Sequence, residues 1–371
     1  MDWEAEGLLE GLEGRQREAR VELLDLLADE GFALEEIRRS HADGQLLFLL
    51  ASRAIDAGDR HTWEEVIAAS GVDEDLVVKL ARAQGVTRAE PGEAAYSDVE
   101  VDVLRLAAGF IDAGIPEDDL LTVARLLGRG FSQAAEAMRG TAMRLVLEPG
   151  LGERELAARY AHAASALTPM MEPLLASLLK LHLSKLVQTE IISAEEREAG
   201  VLPGARDMTI AFADLVGFTR LGEEVPPGEL GAVAGRLEHL VLDLVEPPVR
   251  FVKTIGDAVM VVSPESDALV QASLTLIEQA EAEGDEFPPL RAGLARGEAL
   301  SRAGDWFGHP VNLASRVTAI ARPGSVLATD AVQEAAPQSF AWSKAGIRHL
   351  KGIDGAVPLW RARALGAPEP E

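Results

Sequence analysis

Two acids stand where β-rich apolar runs end. Asp214 closes the run Met208-Thr-Ile-Ala-Phe-Ala-Asp, and Asp257 lies between the two apolar arms of Val249-Arg-Phe-Val-Lys-Thr-Ile-Gly-Asp-Ala-Val-Met-Val-Val. Gly256 sits where the second segment must reverse, which is a hairpin signal. Lys253 precedes Asp257 by one helical or hairpin turn's worth of chain, four residues. Two carboxylates at the ends of neighbouring strands can hold two hard divalent cations, and such cations serve phosphate chemistry. Either acid alone could equally cap a turn; the pair makes the metal reading worth pursuing.

A third segment, Phe307-Gly-His-Pro-Val-Asn-Leu-Ala-Ser-Arg316, reads as a loop entering a helix, with Pro310 in the first turn. Asn312 and Arg316 are four apart and share one helical face. Nothing in the chain matches G-x-x-x-x-G-K-[ST], so no phosphate-cradling loop of that type is available. His309 lies close by and reads only as a turn residue.

Asp214-Leu-Val-Gly-Phe-Thr, then Phe251-Val-Lys-Thr-Ile-Gly-Asp257, then the Asn312 segment, in this order and spacing, resemble the catalytic domain of the class III nucleotidyl cyclases. The resemblance covers roughly Met208 to Arg363. It implies a ferredoxin-like βαββαβ core with a mostly antiparallel sheet. It implies two Mg²⁺ or Mn²⁺ per active site, held by Asp214, Asp257 and the backbone carbonyl of Leu215. It assigns base recognition to Lys253 and Asp305, ribose orientation to Asn312 and transition-state charge to Arg316, with Lys351 of His-Leu-Lys-Gly as a phosphate-binding lysine. A lysine only donates and an ionised aspartate only accepts, a pairing that fits adenine and mispairs with guanine. Guanylyl enzymes of the family typically carry glutamate and cysteine at these positions, and this chain has no cysteine. The implied reaction is conversion of ATP to 3′,5′-cyclic AMP and pyrophosphate. The family builds each site from two protomers, so a chain bearing both residue sets implies a homodimer.

The elements that must position these residues change character along the chain. Residues 1–192 read as an all-α regulatory domain, with helices expected at 45–57, 62–70, 73–84, 97–113, 117–127, 131–147, 153–164 and 169–192 and no sheet. Residues 193–207 form a connector ending in Gly200, Pro203 and Gly204. From 208 to 364 strands and helices alternate as an α+β catalytic domain, followed by a tail at 365–371. Strands are expected at 208–213, 249–263 as a hairpin, 290–295 and 298–303 as a pair, 325–329, 340–344, 347–350 and 357–363. Helices are expected at 228–245, 266–282, 311–321 and 330–335.

At 371 residues with 47% apolar side chains, the chain is long enough for two or three packed domains. A formal charge of −26 opposes a nucleic-acid partner or an anionic membrane surface. The first 200 residues carry 20 basic and 38 acidic side chains, the rest 15 and 23, so the nucleotide-binding half is the less acidic. The absence of cysteine suits a reducing compartment. The acidic start Met1-Asp-Trp-Glu argues against a secretory leader, and charged or polar residues interrupt Leu174–Ile192, so no membrane span is expected and the location reads as cytoplasmic.

Three features compete with this reading or extend it. Thr62–Ser70, Gly71 and Asp73–Val86 outline a helix-turn-helix, the basis of an alternative as a transcription factor or nucleotide-binding regulator with a degenerate cyclase domain. Asp73, Glu74 and Asp75 at its second helix disfavour DNA. Gly284-Asp-Glu-Phe287 imitates the end of a G-G-D-E-F signature, but Pro288-Pro289 follow at once. His162 and His182 precede the connector and are the side chains able to switch near neutral pH, while an unidentified small effector is the other candidate signal for the helical domain.

Overall fold

A computed structural model describes residues 1–56, 58–86, 88–189, 204–284 and 286–366, with side chains at 186–189 left aside. Most of the connector expected at 193–207 and the end of the tail lie outside the described residues. The chain divides into two compact units, Met1–Glu190 and Ile191–Glu371.

In the first unit the described helices are α1 (Gly14–Asp29), α2 (Leu34–Ala42), α3 (Leu49–Ile55), α4 (Trp63–Ser70), α5 (Glu74–Gln84), α6 (Asp98–Asp112), α7 (Glu117–Val146) and α8 (Glu153–Thr189). Their ends follow local chemistry. Thr62 caps α4 in a reciprocal box with Glu65, and Gly71 ends it in the left-handed region at φ 68°. Asp73 then caps α5 by accepting from the Asp75 N–H. The outlined helix–turn–helix therefore forms. Trp63, Val66, Val77, Leu80 and Leu104 bury the faces of α4, α5 and α6 in one core.

Three sequence expectations for this unit are corrected. The helices at 117–127 and 131–147 are one helix, because Gly128 is a contact and not a break. A Cβ there would lie 2.8 Å from the Cα of Gln84, so α5 and α7 touch through a residue with no side chain. The helices at 153–164 and 169–192 are likewise joined. Pro169 and Pro173 sit inside α8, where each costs one backbone bond but strong helix formers on both sides carry the helix through. A two-residue pairing of β1 (Arg60–His61) with β2 (Tyr96–Ser97) is also present where no sheet was expected.

The second unit holds β3 (Arg206–Leu215), α9 (Phe218–Glu224), α10 (Pro227–Leu244), β4 (Arg250–Ile255), β5 (Ala258–Ser263), α11 (Ser266–Ala282), β6 (Leu290–Arg302), β7 (Asp305–Phe307), α12 (His309–Ile320), β8 (Ser325–Thr329), α13 (Asp330–Ala335), β9 (Ala341–His349) and β10 (Ala356–Arg363). The strand order is β4-β5-β3-β6-β8-β10-β9, with β7 paired to β6. The β4-β5-β3-β6 portion is wholly antiparallel and has the ferredoxin-like order, while β6 and β8, joined through α12, pair in parallel. The fold is thus a mainly helical part, with one two-residue strand pairing, followed by an α+β part with a mostly antiparallel sheet.

β3 runs through the centre and is buried on both faces. Met208, Ile210 and Phe212 face one core, with α12 and β10, while Ala211, Ala213 and Leu215 face the other, with α10 and α11. That is why its sequence is a near-continuous apolar run. The strand pair expected at 290–295 and 298–303 is instead one strand, β6. The reversal comes later, at Ala303-Gly304, whose φ values of 54° and 78° match a two-residue primed turn. The strands expected at 340–344 and 347–350 are also one, β9, with an irregularity opposite Leu359/Trp360. Helix α9 was not anticipated.

Candidate active site

The hairpin β4–β5 closes through Gly256-Asp257 alone, with Ile255 opposite Ala258 and Gly256 at φ 64°. Glycine at the first turn position is what this geometry requires. Asp257 therefore stands at the tip. Asp214 lies on β3 directly opposite Ala258, and the Leu215 N–H donates to the Asp257 carbonyl at 3.2 Å. The two carboxylates are close enough to interact. Burial pushes the Asp257 carboxyl above its ordinary value and the Asp214 charge adds to this, while a hydrogen bond to the backbone N–H of Asp257 and the charge of Arg291 oppose it.

Arg291 is the residue that sequence reasoning missed. It is the cross-strand neighbour of Asp214 on β6 and donates to Asp214 Oδ2 from Nε at 3.0 Å and Nη2 at 2.5 Å. Its Nη1 donates to the Ala319 carbonyl at 2.9 Å, near the end of α12. The available signal was a guanidinium between two buried residues, Leu290 and Ala292, in the apolar first part of the strand.

Lys253 and Asp305 meet. The lysine on β4 and the aspartate on β7 form an ion pair, and Asp305 Oδ1 accepts from the Trp306 N–H at 2.8 Å. Both line a cavity of about 250 Å³ whose wall also includes Phe212, Met260, Trp306 and Asn312. Asn312 opens outward one turn before Arg316 on the exposed face of α12, whose other face buries Leu313, Ala314 and Val317. The helix sits against β6 with no gap: a Cβ on Gly293 would lie 2.2 Å from the Thr318 nitrogen, and Thr318 Oγ1 donates to the Phe212 carbonyl at 3.2 Å. Asn312 is thereby fixed beside the cavity.

Asp214, Asp257, Arg316 and Lys351 do not line that cavity. Arg316 is exposed and, among the described residues, forms no ion pair. Lys351 is exposed in the turn after β9, and His309 begins α12, also exposed. One chain thus carries two groups: a carboxylate pair at the strand ends, and a lysine–aspartate pair beside an asparagine in a cavity.

Two family models match successive parts of this chain. The adenylate cyclase regulatory domain matches residues 1–187, and the adenylate and guanylate cyclase catalytic domain matches residues 203–360. The chain belongs to the class III nucleotidyl cyclases. It is similar to a pH-sensitive adenylate cyclase of Mycobacterium tuberculosis, with 43% identity over 372 residues, covering 98% of this chain and 92% of the relative. An adenylate cyclase of Streptomyces griseus is 31% identical over 291 residues, covering 77% and 70%. Among solved structures, the guanylate cyclase domain of RhGC from Catenaria anguillulae is 24% identical, with a TM-score of 0.40, covering 44% of this chain and 99% of that one. For this cyclase, no described helix is long and apolar enough to cross a membrane.

Proposed function

We propose that this class III cyclase is an adenylate cyclase: the ribose 3′-hydroxyl of ATP attacks the α-phosphorus, giving 3′,5′-cyclic AMP and releasing pyrophosphate. The observation that carries this reading is Lys253 held against Asp305 in one cavity beside Asn312. Adenine accepts at N1 and donates from N6. Lys253 donates to the first and Asp305 accepts from the second, so the base replaces their mutual ion pair with two hydrogen bonds. Guanine reverses both groups and leaves a donor facing a donor and an acceptor facing an acceptor. Asn312 orients the ribose, and Arg316, one turn further, meets the charge growing at the α-phosphate. Lys351 adds a contact to the terminal phosphates.

The donor set at Asp214, Asp257 and the Leu215 carbonyl suits two Mg²⁺ or Mn²⁺. All are oxygens, and such ions are commonly held by one or two carboxylates together with substrate phosphates. Among the described residues no group of three or more acidic or histidine side chains gathers elsewhere to compete for them. When bound, the ions lower the pKa of an attacking hydroxyl and neutralise phosphate charge. Because the carboxylate pair lies outside the cavity that holds Lys253 and Asp305, a homodimer with two shared sites is the assembly that the residue sets favour. A location in the cytoplasm accords with the cysteine-free sequence.

Residues 1–192 act as the regulatory domain, 193–207 as the connector and 208–364 as the catalytic domain, with 365–371 as a tail. A pH response is supported by the name of the Mycobacterium tuberculosis relative. His162 and His182 are both exposed on α8, so a histidine switch operates only if another state buries one of them. Deleting residues 1–200 is expected to raise turnover, and the full chain to gain activity relative to the deletion as pH falls toward about 6.5. Parallel pH profiles would remove the pH element and leave a small effector as the signal. The central test is incubation with ATP or GTP and Mn²⁺ or Mg²⁺, with products separated chromatographically. Cyclic AMP from ATP is the expected product, and cyclic GMP as the main product would overturn the base-recognition reading.

A further inference from the structure

The catalytic unit holds a cavity apart from the one beside Lys253. This one, of about 400 Å³, opens between α11 and the strands β8 and β10. Its wall carries Arg361 and Arg363 of β10, Arg322 of the turn before β8, and Ile277, Glu278 and Glu281 of α11. None of the residues assigned to cyclisation lines it.

Two observations point to a ligand. Arg361 is partly buried, and its Nε is buried without a hydrogen-bonding partner among the described residues. Buried guanidinium N–H groups are costly to leave unsatisfied, so one that lines a cavity calls for an acceptor. Secondly, among the described residues neither Arg322 nor Arg361 forms an ion pair, although Glu278 and Glu281 line the same cavity. The two guanidiniums are therefore uncompensated by the acids nearest to hand. Glu281 turns instead toward the Gly324 backbone, where its Oε1 lies 3.0 Å from the position of a Cβ.

We infer that this cavity is a binding site for a small organic oxyanion. Arginine forks match the paired oxygens of a phosphate or carboxylate group, and Leu274, Ile277 and Val326 offer an aliphatic surface to the body that carries it. The two glutamates at the helix side limit the total negative charge that the site accepts, so a nucleoside triphosphate is a poor occupant and a singly or doubly charged anion a good one. The site is distinct from the one that reads adenine, and binding there does not depend on the chain being a cyclase. Arg322 lies in the turn just beyond Ile320, the last residue of the helix that carries Asn312 and Arg316. An anion held there contacts the chain directly after that helix.

The test uses the full chain, without nucleotide or divalent cation, and three probes sharing one ring: phenyl phosphate, benzoate and phenol. Binding is read by calorimetry and by ligand-observed NMR. Phenyl phosphate or benzoate is expected to bind and phenol not to, and the better of the two anions identifies the oxyanion preferred. Arg361→Ala and, separately, Arg322→Ala should each weaken binding by about tenfold or more. Arg322 lies in an exposed turn, so its variant tests the site even if Arg361→Ala perturbs β10. Glu281→Gln removes a like charge from the wall and should tighten binding. Failure of both anions to bind, equal binding of phenol, or affinity unchanged in Arg322→Ala and Arg361→Ala would each overturn the inference. Loss of binding in Arg316→Ala with retention in both cavity variants would do the same by moving the anion to the cyclisation site. None of these outcomes bears on whether ATP is the cyclase substrate.

Discussion

Asp214 and Asp305 each face a cation of their own chain, and the two pairs are built in different ways. Arg291 is fixed to Asp214 by strand register, donates twice to one carboxylate oxygen, and is tied a third time to the Ala319 carbonyl. Lys253 reaches Asp305 from another strand across a cavity, and both partners are more exposed, at 39% and 31% against 25% and 20% for the arginine pair. A planar fork with several anchors holds one geometry, whereas a lysine on four methylenes can swing. Exposed pairs of the second kind contribute only about 0–1 kcal/mol, so a purine can displace one at little cost. In the proposed reading, the carboxylate end is thus positioned in advance, and the base-reading end is held by a weak pair that its ligand replaces.

The comparison breaks most visibly at the rigid end. Asp214→Ala or Asp257→Ala is expected to reduce turnover by about a thousandfold or more while circular dichroism shows an intact fold. Substantial residual turnover with unchanged metal dependence would remove the metal assignment. The next largest effect tests whether the two ends serve different sites. Asp257→Ala and Arg316→Ala, each inactive alone, should on mixing regain roughly a quarter of wild-type sites, because about half of the dimers are mixed and each has one intact site. No recovery after verified subunit exchange means that one chain supplies a whole site.

The weak pair gives a smaller and more selective effect. Lys253→Ala should lower kcat/KM for ATP by about tenfold to a hundredfold and narrow the ATP-to-GTP ratio, since a charged hydrogen bond to the base is lost. An unchanged ratio would leave Lys253 as a structural partner of Asp305 only. The smallest effect concerns Asp257 itself. Its folded-state pKa is raised, first by burial and then by Asp214, so the fold favours the protonated form. That stability is present at low pH and is lost as pH rises through the folded value. Asp257→Asn should therefore melt at a higher temperature than wild type at pH 7 without metal, with the gap closing below about pH 4. A variant melting at or below the wild-type temperature at pH 7 would show that the carboxylate is not strained by its surroundings.

Much of the catalytic unit is legible in sequence because its signals are local. The limits of α11 and β8 follow from periodicity, and the hairpin tip follows from Gly256 between two apolar arms. Local signals misled where a glycine served packing and not reversal. Gly128 lets α5 and α7 touch, and Gly297 lies within β6, while the true reversal is Ala303-Gly304. A residue without a side chain is the same letter in both uses, and only its neighbours distinguish them.

By itself the sequence determined the two-part organisation into helical and α+β segments, the strand ends that carry Asp214 and Asp257, and the helical face shared by Asn312 and Arg316. These depend on spacing along one stretch of chain, where the periods of strand and helix act directly. Only the tertiary structure decided that Arg291 holds Asp214, that Lys253 and Asp305 meet across 52 residues beside Asn312, and that Arg322 and Arg361 line a cavity of their own. Those relations join residues on separate elements, and strand order and helix packing, which no local spacing records, set the distances between them.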